Sequence, residues 1–273
     1  MTFVLDAATT VNVRSDGRYQ VAVDERFWNG DHAFGGWTAA VTVAAWQAEQ
    51  ACRGELVTQN IQFHAAIKGP EVIVETTLVE RRRSVDFWHV AVLASSREHR
   101  VLAAATLVAG QRRDSEIGFE RRSPSYRPQK DSFRLQRQPV SPSWFDHYEI
   151  YLAKGRPFAV NESPHSVTYV RESDGRALDA KALTAMLDTP MPRTFFCGER
   201  LPFSSTVAMS THIYASDAEL ATAGDGFITL DVDCQTIRHG FLNQECRAYR
   251  DDGLLLAVSY QTGFYREEPP SHA

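Results

Sequence analysis

One stretch of this chain is written twice. Residues 100–110 read RVLAAATLVAG and residues 253–263 read GLLLAVSYQTG, with Gly110 falling on Gly263 and Ala104 on Ala257, a constant shift of 153 residues. Upstream, NIQFHAA around His64 has a counterpart in AMSTHIY around His212. The order is the same in both places: an extended run with a central His, a second strand, a hairpin, then a small-residue strand ending in Gly. A unit that recurs at about half the chain length, too long a period for a solenoid, predicts two copies of one small fold fused in a single chain. Any site in such a molecule belongs at the junction of the copies, and one copy is free to lose chemistry the other keeps.

Each copy reads as a helix followed by strands. RYQVAVD at 18–24 alternates like a strand, and three glycines then break FWNGDHAFGGW. From Gly36 onward, WTAAVTVAAWQAEQAC repeats small and apolar residues at helical spacing, which predicts a buried helix over 36–51 with Gly54 as its C-terminal cap. Extended segments are predicted at about 56–67, 71–81, 86–97 and 100–112, with a turn at Lys68-Gly69-Pro70. The second half repeats the plan with a strand at 147–153 and a helix over 179–189. Asp179 caps that helix and Pro190 stops it, so Asp188 falls in its last turn. Strands follow at about 204–216, 226–236, 240–250 and 254–266, with Asp251-Asp252-Gly253 as a hairpin turn. Residues 113–145, rich in Arg, Ser, Pro and Gln, predict a surface linker anchored at its end by Trp144 and Phe145. The expected units are thus 1–112, a linker 113–145, and 146–273. A long helix followed by an antiparallel meander wraps the sheet around the helix. The expected fold is α+β, a double hotdog: two antiparallel sheets, each around a long helix, fused as a pseudo-dimer.

Composition removes several classes of function. A formal charge of −5 over 273 residues gives no general attraction for nucleic acid. Arg81-Arg82-Arg83, Arg112-Arg113 and Arg121-Arg122 are local basic clusters, readable as solvated surface or as contacts for ligand phosphates. Cys52, Cys197, Cys234 and Cys246 lie far apart with no C-x-x-C, which argues against a disulfide framework or a zinc site. No apolar run approaches the ~20 residues of a membrane helix, and MTFVLDAATTV lacks a basic, apolar leader, so the expectation is a cytoplasmic protein. No G-x-S-x-G, H-E-x-x-H, P-loop or G-x-G-x-x-G occurs. His64 and His212 occupy matching strand positions, as sheet residues or as ligand-facing ones.

Three segments carry a family resemblance: HAFGGWTAAVTVAA at 32–45, DGRALDAKALTAMLD at 174–188, and LLLAVSYQTGFYR at 254–266. In this order they resemble the acyl-CoA thioesterase II family of double hotdogs, and with the helix–meander order they cover nearly the whole chain. The resemblance implies hydrolysis of acyl-CoA by a water held between an Asp, a hydroxyl residue and a Gln, with no metal or other cofactor. It also implies further association of double hotdogs, hence a possible homo-oligomer, with no nucleic-acid or membrane partner. The family's last-strand pattern A-S-x-x-Q-x-G falls on Ala257, Gln261 and Gly263, with Val258 in place of Ser. Its Asp falls on Asp188. Its hydroxyl pattern T-x-D-x-[ST] falls on Thr206 and Ser210, with Ala208 in place of Asp, and a one-residue slip would substitute Ser205.

The residues themselves suit that chemistry. Thioester hydrolysis needs a base for water and donors for a developing oxyanion. An Asp at a helix end beside Met186 and Leu187 is placed to have its pKa raised by burial, and a Gln can orient water without titrating. Gly35 and Gly36 would let a thioester approach the N–H groups of a helix start. His32, His64 and Trp37 are further candidate substrate contacts. Trp37, Phe63, Trp88 and Phe241 are candidate tunnel walls or plain core. At the shift of 153 residues Gln261 corresponds to Val108, and counting along the helices sets Ala45 against Asp188, so the second half carries the chemistry. Two other functions compete: a silent acyl-ligand binding module, and an enoyl-CoA hydratase or dehydratase using the adjacent Asp31 and His32.

Overall fold

The computed structural model describes residues 2–120, 122, 132–200 and 202–267. In the first half, α1 (Val4–Ala8), β1 (Asn12–Val13) and β2 (Tyr19–Ala22) precede α2 (Gly35–Gln47). The meander β3 (Glu55–Phe63), β4 (Glu71–Arg81), β5 (Val85–Ala94) and β6 (Arg97–Gly110) follows. The second half holds β7 (Phe133–Arg134), β8 (Tyr148–Lys154), β9 (Ser166–Glu172) and α3 (Ala180–Met186). It continues through β10 (Phe203–Ile213), α4 (Asp217–Ala223), β11 (Ile228–Asp233), β12 (Ile237–Arg238), β13 (Phe241–Tyr249) and β14 (Leu255–Arg266).

The two expected sheets are joined into one. The strand order β1-β2-β4-β5-β6-β3-β10-β14-β13-β11-β9-β8-β7 is antiparallel throughout, and the halves meet where β3 pairs with β10, Asn60 opposite Ser210. The inner face wraps α2 and α3, which pack on each other. Ten of the α2 residues are buried, so its alanines and valines serve a helix enclosed on nearly all sides. Among the described residues no helix is long and apolar enough to cross a membrane.

Both central strands are broken at matching places. The ladder of β3 skips Val57, between Leu56 and Thr58, and that of β10 skips Val207, between Thr206 and Ala208. A bulge resets which residues face inward. Leu56 and Thr206 therefore share the inner face with Gln59 and Met209 respectively, three positions on. Measured from the bulges, Leu56 pairs with Ala109 and Gln59 with Leu107, while Thr206 pairs with Gly263 and Met209 with Gln261. The counterpart of Gln261 is thus Leu107. The constant sequence shift misses it by one, because matching Gly110 to Gly263 puts Val108 on the opposite face.

Several expectations are corrected in detail. α2 ends at Gln47, so Gly54 does not cap it; Gly54 has φ +75° and abuts the Gly110 carbonyl, 2.7 Å from where a Cβ would stand. The Asp179 side chain does cap α3, accepting from the Ala182 N–H at 2.7 Å, but the helix closes at Met186 and Asp188 lies just past its C-cap Leu187. The linker end is packed, with Trp144 stacked on Phe34 at 4.5 Å. Arg121 and residues 123–131 of the linker lie outside the described residues.

Candidate active site

Where α3 ends it meets the start of α2. The first helical turn of α2 opens with glycines because nothing larger fits. A Cβ on Gly35 would lie 2.6 Å from Asp188 Oδ2, and one on Gly36 would run into the Phe34 ring and the Ala185 carbonyl. The Gly36 backbone N–H is left open by the helix start, since the first intrahelical bond shown runs from Thr38 N–H to the Phe34 carbonyl. It donates to the Asp188 carboxylate, which also takes a hydrogen bond from the Gln261 side chain. The second half's acid is thus held by the first half's helix.

Gln261 is buried and hydrogen-bonded at both ends of its amide. Its Nε2 donates to the Leu187 carbonyl at 3.1 Å, and its Oε1 accepts from Thr206 Oγ1 at 3.2 Å. The bulge at Val207 sets which hydroxyl stands beside Gln261: Thr206 reaches it, and Ser205 belongs to the other face. Asp188, Gln261 and Thr206 therefore stand together as one hydrogen-bonded group. Burial pushes the Asp188 pKa up to about 7, against the smaller lowering by its bonds to Gly36 and Gln261. The Asp188 residue is half-buried rather than fully enclosed.

The other candidates are placed elsewhere. Trp37 is fully enclosed, with its Nε1 donating to the Ala8 carbonyl at 2.9 Å, so it is core. His32 pairs with Asp31 at 3.0 Å, and Asp31 also binds Lys68 on the surface. That side-by-side pair is engaged with its own loop rather than with the Asp188 group. His64 is exposed and meets Gln62 at 3.4 Å. Among the expected tunnel walls, Trp88 is core, Phe241 is exposed on the outer face, and only Phe63 approaches the site, 3.4 Å from a Gly35 Cβ. Two of the cluster arginines serve structure: Arg81 joins Arg53 on buried Asp86, and Arg112 binds Glu55 and the Ile213 and Tyr214 carbonyls, clamping the two halves. A surface concavity of about 350 Å³ lined by Ala65, Lys68 and Arg100 lies apart from the carboxylate.

Sequence reasoning missed two supports. Gln244 is the β13 partner of Gln261. Arg193, wholly buried, donates to Gln244 Oε1 at 2.9 Å, Ser166 Oγ at 2.8 Å, and the Pro164 and Met191 carbonyls. It ties the segment that follows Asp188 to β9 and β13. An Arg just after Pro190 and Pro192, in a loop read as a helix stop, gives no signal of that in sequence.

The first half has the same architecture without the polar groups. Leu56 stands for Thr206 and Leu107 for Gln261. Counting from the N-caps Phe34 and Asp179, Val43 stands for Asp188, rather than Ala45. All three are core residues.

Models of the two domains of one family match this chain in order: the acyl-CoA thioesterase N-terminal domain over residues 24–110 and the acyl-CoA thioesterase C-terminal domain over residues 122–265. The chain belongs to the acyl-CoA thioesterase family. Solved structures agree on the hotdog fold. A conserved protein of unknown function from Alicyclobacillus acidocaldarius superposes with a TM-score of 0.91 at 24% identity, covering 98% of this chain and 100% of that one. The acyl-CoA thioesterase II of Mycobacterium marinum gives 0.75 at 12% identity, covering 99% and 100%. The dehydratase domain of PpsC from Mycobacterium tuberculosis, solved in complex with C12:1-CoA, gives 0.54 at 13% identity, covering 95% and 98%. No curated protein matches the sequence.

Proposed function

We propose that this thioesterase-family chain hydrolyses an acyl-CoA to the free carboxylic acid and CoA, at one site per chain, with Asp188 as general base. The observation that carries the reading is the Asp188 carboxylate, held by Gly36 N–H and Gln261 and brought by burial to a pKa of about 7. An ordinary aspartate is too weak a base for water, whereas one near neutrality combines availability with driving force. Gln261 and Thr206 hold the water. Its oxygen bonds to the thioester carbonyl carbon while Asp188 takes one proton. The remaining N–H groups of the first turn of α2 face the oxyanion, and the helix dipole supports them. The C–S bond breaks, and the proton on Asp188 passes to the departing sulfur. No step calls for a metal or redox cofactor. The chain would act in the cytoplasm, alone or as a homo-oligomer.

The test is thiol release from a panel of acyl-CoA thioesters. Turnover of any member supports the reading. Saturable binding without release from every member would leave an acyl-ligand binding module, and hydration of crotonyl-CoA without thiol release would move the chemistry to the dehydratase side.

A further inference from the structure

The two halves end their central strands alike but cover those ends differently. After β3, the His64 and Ala65 N–H groups both donate to the Leu102 carbonyl, at 2.9 and 3.1 Å. After β10, the Tyr214 and Ala215 N–H groups both donate to the Leu256 carbonyl, again at 2.9 and 3.1 Å. In the second half α4 follows at once. Its Leu220 is buried in the core, and Arg250, beside the β13–β14 turn, donates to the Glu219 carbonyl. The first half has no helix there: Lys68, Gly69 and Pro70 lead straight into β4. The place that matches α4 is the concavity of about 350 Å³, between the residues after β3 and the β5–β6 hairpin.

This cleft suits a ligand that is part apolar and part anionic. Ala65, Ile67, Val72 and Leu102 give it an apolar floor, and Lys68 and Arg100 stand on its wall. Lys68 pairs with Asp31, and Glu71, the one carboxylate lining the cleft, holds the Gln20 side chain. Arg100 is exposed and bonds no carboxylate among the described residues, so its guanidinium is open to an anion. Two ties join the cleft to the Asp188 group. Phe63, 3.4 Å from a Gly35 Cβ, precedes Ala65 by two residues, about 7 Å of extended chain. The Ala33 N–H, two residues before Gly35, donates to the Ile67 carbonyl at 2.9 Å. A thioester at Asp188 can therefore lead its thiol arm past Phe63 into the cleft.

We propose that this cleft holds the phosphorylated nucleotide end of CoA, with Arg100 and Lys68 on its phosphates and the adenine on the apolar floor. The proposal rests on the hydrolytic reading and names the thiol that the same site accepts: CoA itself rather than a short thiol. The phosphates of CoA are anionic throughout the pH range in which Asp188 is ionised, which matches the two cations of the wall. Arg100 presents a planar fork that can grip one phosphate with two N–H groups, while Lys68 adds a point charge that it shares with Asp31. A volume of about 350 Å³ lies within the usual range of small-molecule sites. The halves then divide the substrate between them. The second half supplies Asp188, Gln261 and Thr206, and the first supplies the α2 start and the nucleotide cleft. The matching place in the second half is taken by α4, so each chain holds one CoA.

The experiment compares one acyl chain on two thiols, CoA and N-acetylcysteamine, in the wild type, Arg100→Glu and Lys68→Ala. Steady-state thiol release is measured beside calorimetric titration of free CoA. Arg100→Glu should raise the KM for acyl-CoA about tenfold and weaken free CoA by a similar factor with kcat kept, because a charge-assisted bond to phosphate is replaced by repulsion. Lys68→Ala should give a smaller rise of the same kind. The KM for the N-acetylcysteamine thioester, which does not reach the cleft, should stay where it is in both variants. Salt should weaken free CoA in the wild type more than in Arg100→Glu. Both side chains are exposed, so the Tm should hold. An Arg100→Glu protein that matches the wild type in KM for acyl-CoA and in CoA affinity overturns the subsite while leaving hydrolysis standing. Absence of thiol release from both thioesters in the wild type overturns the hydrolytic reading, and the CoA titration then decides the cleft by itself.

Discussion

Gly35→Ala is the smallest change that should disable the site without weakening the fold. The new Cβ would stand 2.6 Å from Asp188 Oδ2 and 3.4 Å from the Phe63 ring. A carbon and an oxygen rest roughly 3.3–3.6 Å apart, so the carboxylate has to retreat by roughly 0.7–1 Å. Misplacing a reacting group by about 1 Å costs on the order of 10²-fold in rate. The backbone at Gly35 is not in the left-handed region. In a helix Ala is favoured over Gly by up to about 1 kcal/mol, so the Tm should be unchanged or higher. Thiol release measured beside thermal melts separates the two effects. We expect kcat down about a hundredfold in a protein at least as stable. Wild-type turnover in Gly35→Ala would show that the position of the Asp188 carboxylate does not govern the reaction.

Other outcomes follow from the same geometry. Gln261→Leu copies the first half's Leu107 and should lower kcat at least tenfold with KM largely kept, whereas Leu107→Gln alone should gain nothing, because Val43 offers no acid; steady-state kinetics decides. The raised pKa of Asp188 means that it favours folding fully below about pH 3.8 and progressively less as pH rises toward about 7. Asp188→Asn should therefore raise the Tm at pH ~8 and lose that advantage toward pH ~4, as melts across pH would show. Arg193→Met strands Gln244 Oε1, Ser166 Oγ and two carbonyls, and should lower stability by about 2 kcal/mol in denaturant titrations.

The fold was legible because the repeat and the helix–meander order are long, periodic signals. The boundaries of β4 were read as they stand, and the Asp179 cap too. What escaped is short or depends on tertiary contact. β9 follows a loop of Pro, Asn and Ser and was passed over. α4 is only seven residues, although its Ser216–Glu219 capping box is written in the sequence. The two bulges were invisible because a skipped residue leaves no mark in composition. They shifted the half-to-half register by one and put Thr206, not Ser205, beside Gln261. The proposed site divides the same way. Asp188, Gln261, Thr206, Gly35 and Gly36 came from motifs, and the structure brings them together. Trp37 could not be told from a ligand contact, because an aromatic after a glycine pair looks alike in either setting. Gln244 and Arg193 come from segments with no motif, joined to the site only by folding.

The central claim is that Asp188 activates water. The most direct measurement is the turnover of Asp188→Asn on the best acyl-CoA substrate at pH ~8, where the wild-type carboxylate is ionised. Asn is nearly isosteric and keeps an acceptor for the Gly36 N–H, so the fold should be intact by circular dichroism and melting. The account predicts kcat down by about 10²–10⁴, the range of general acid–base catalysis. A folded Asp188→Asn protein that releases thiol at the wild-type rate would contradict it.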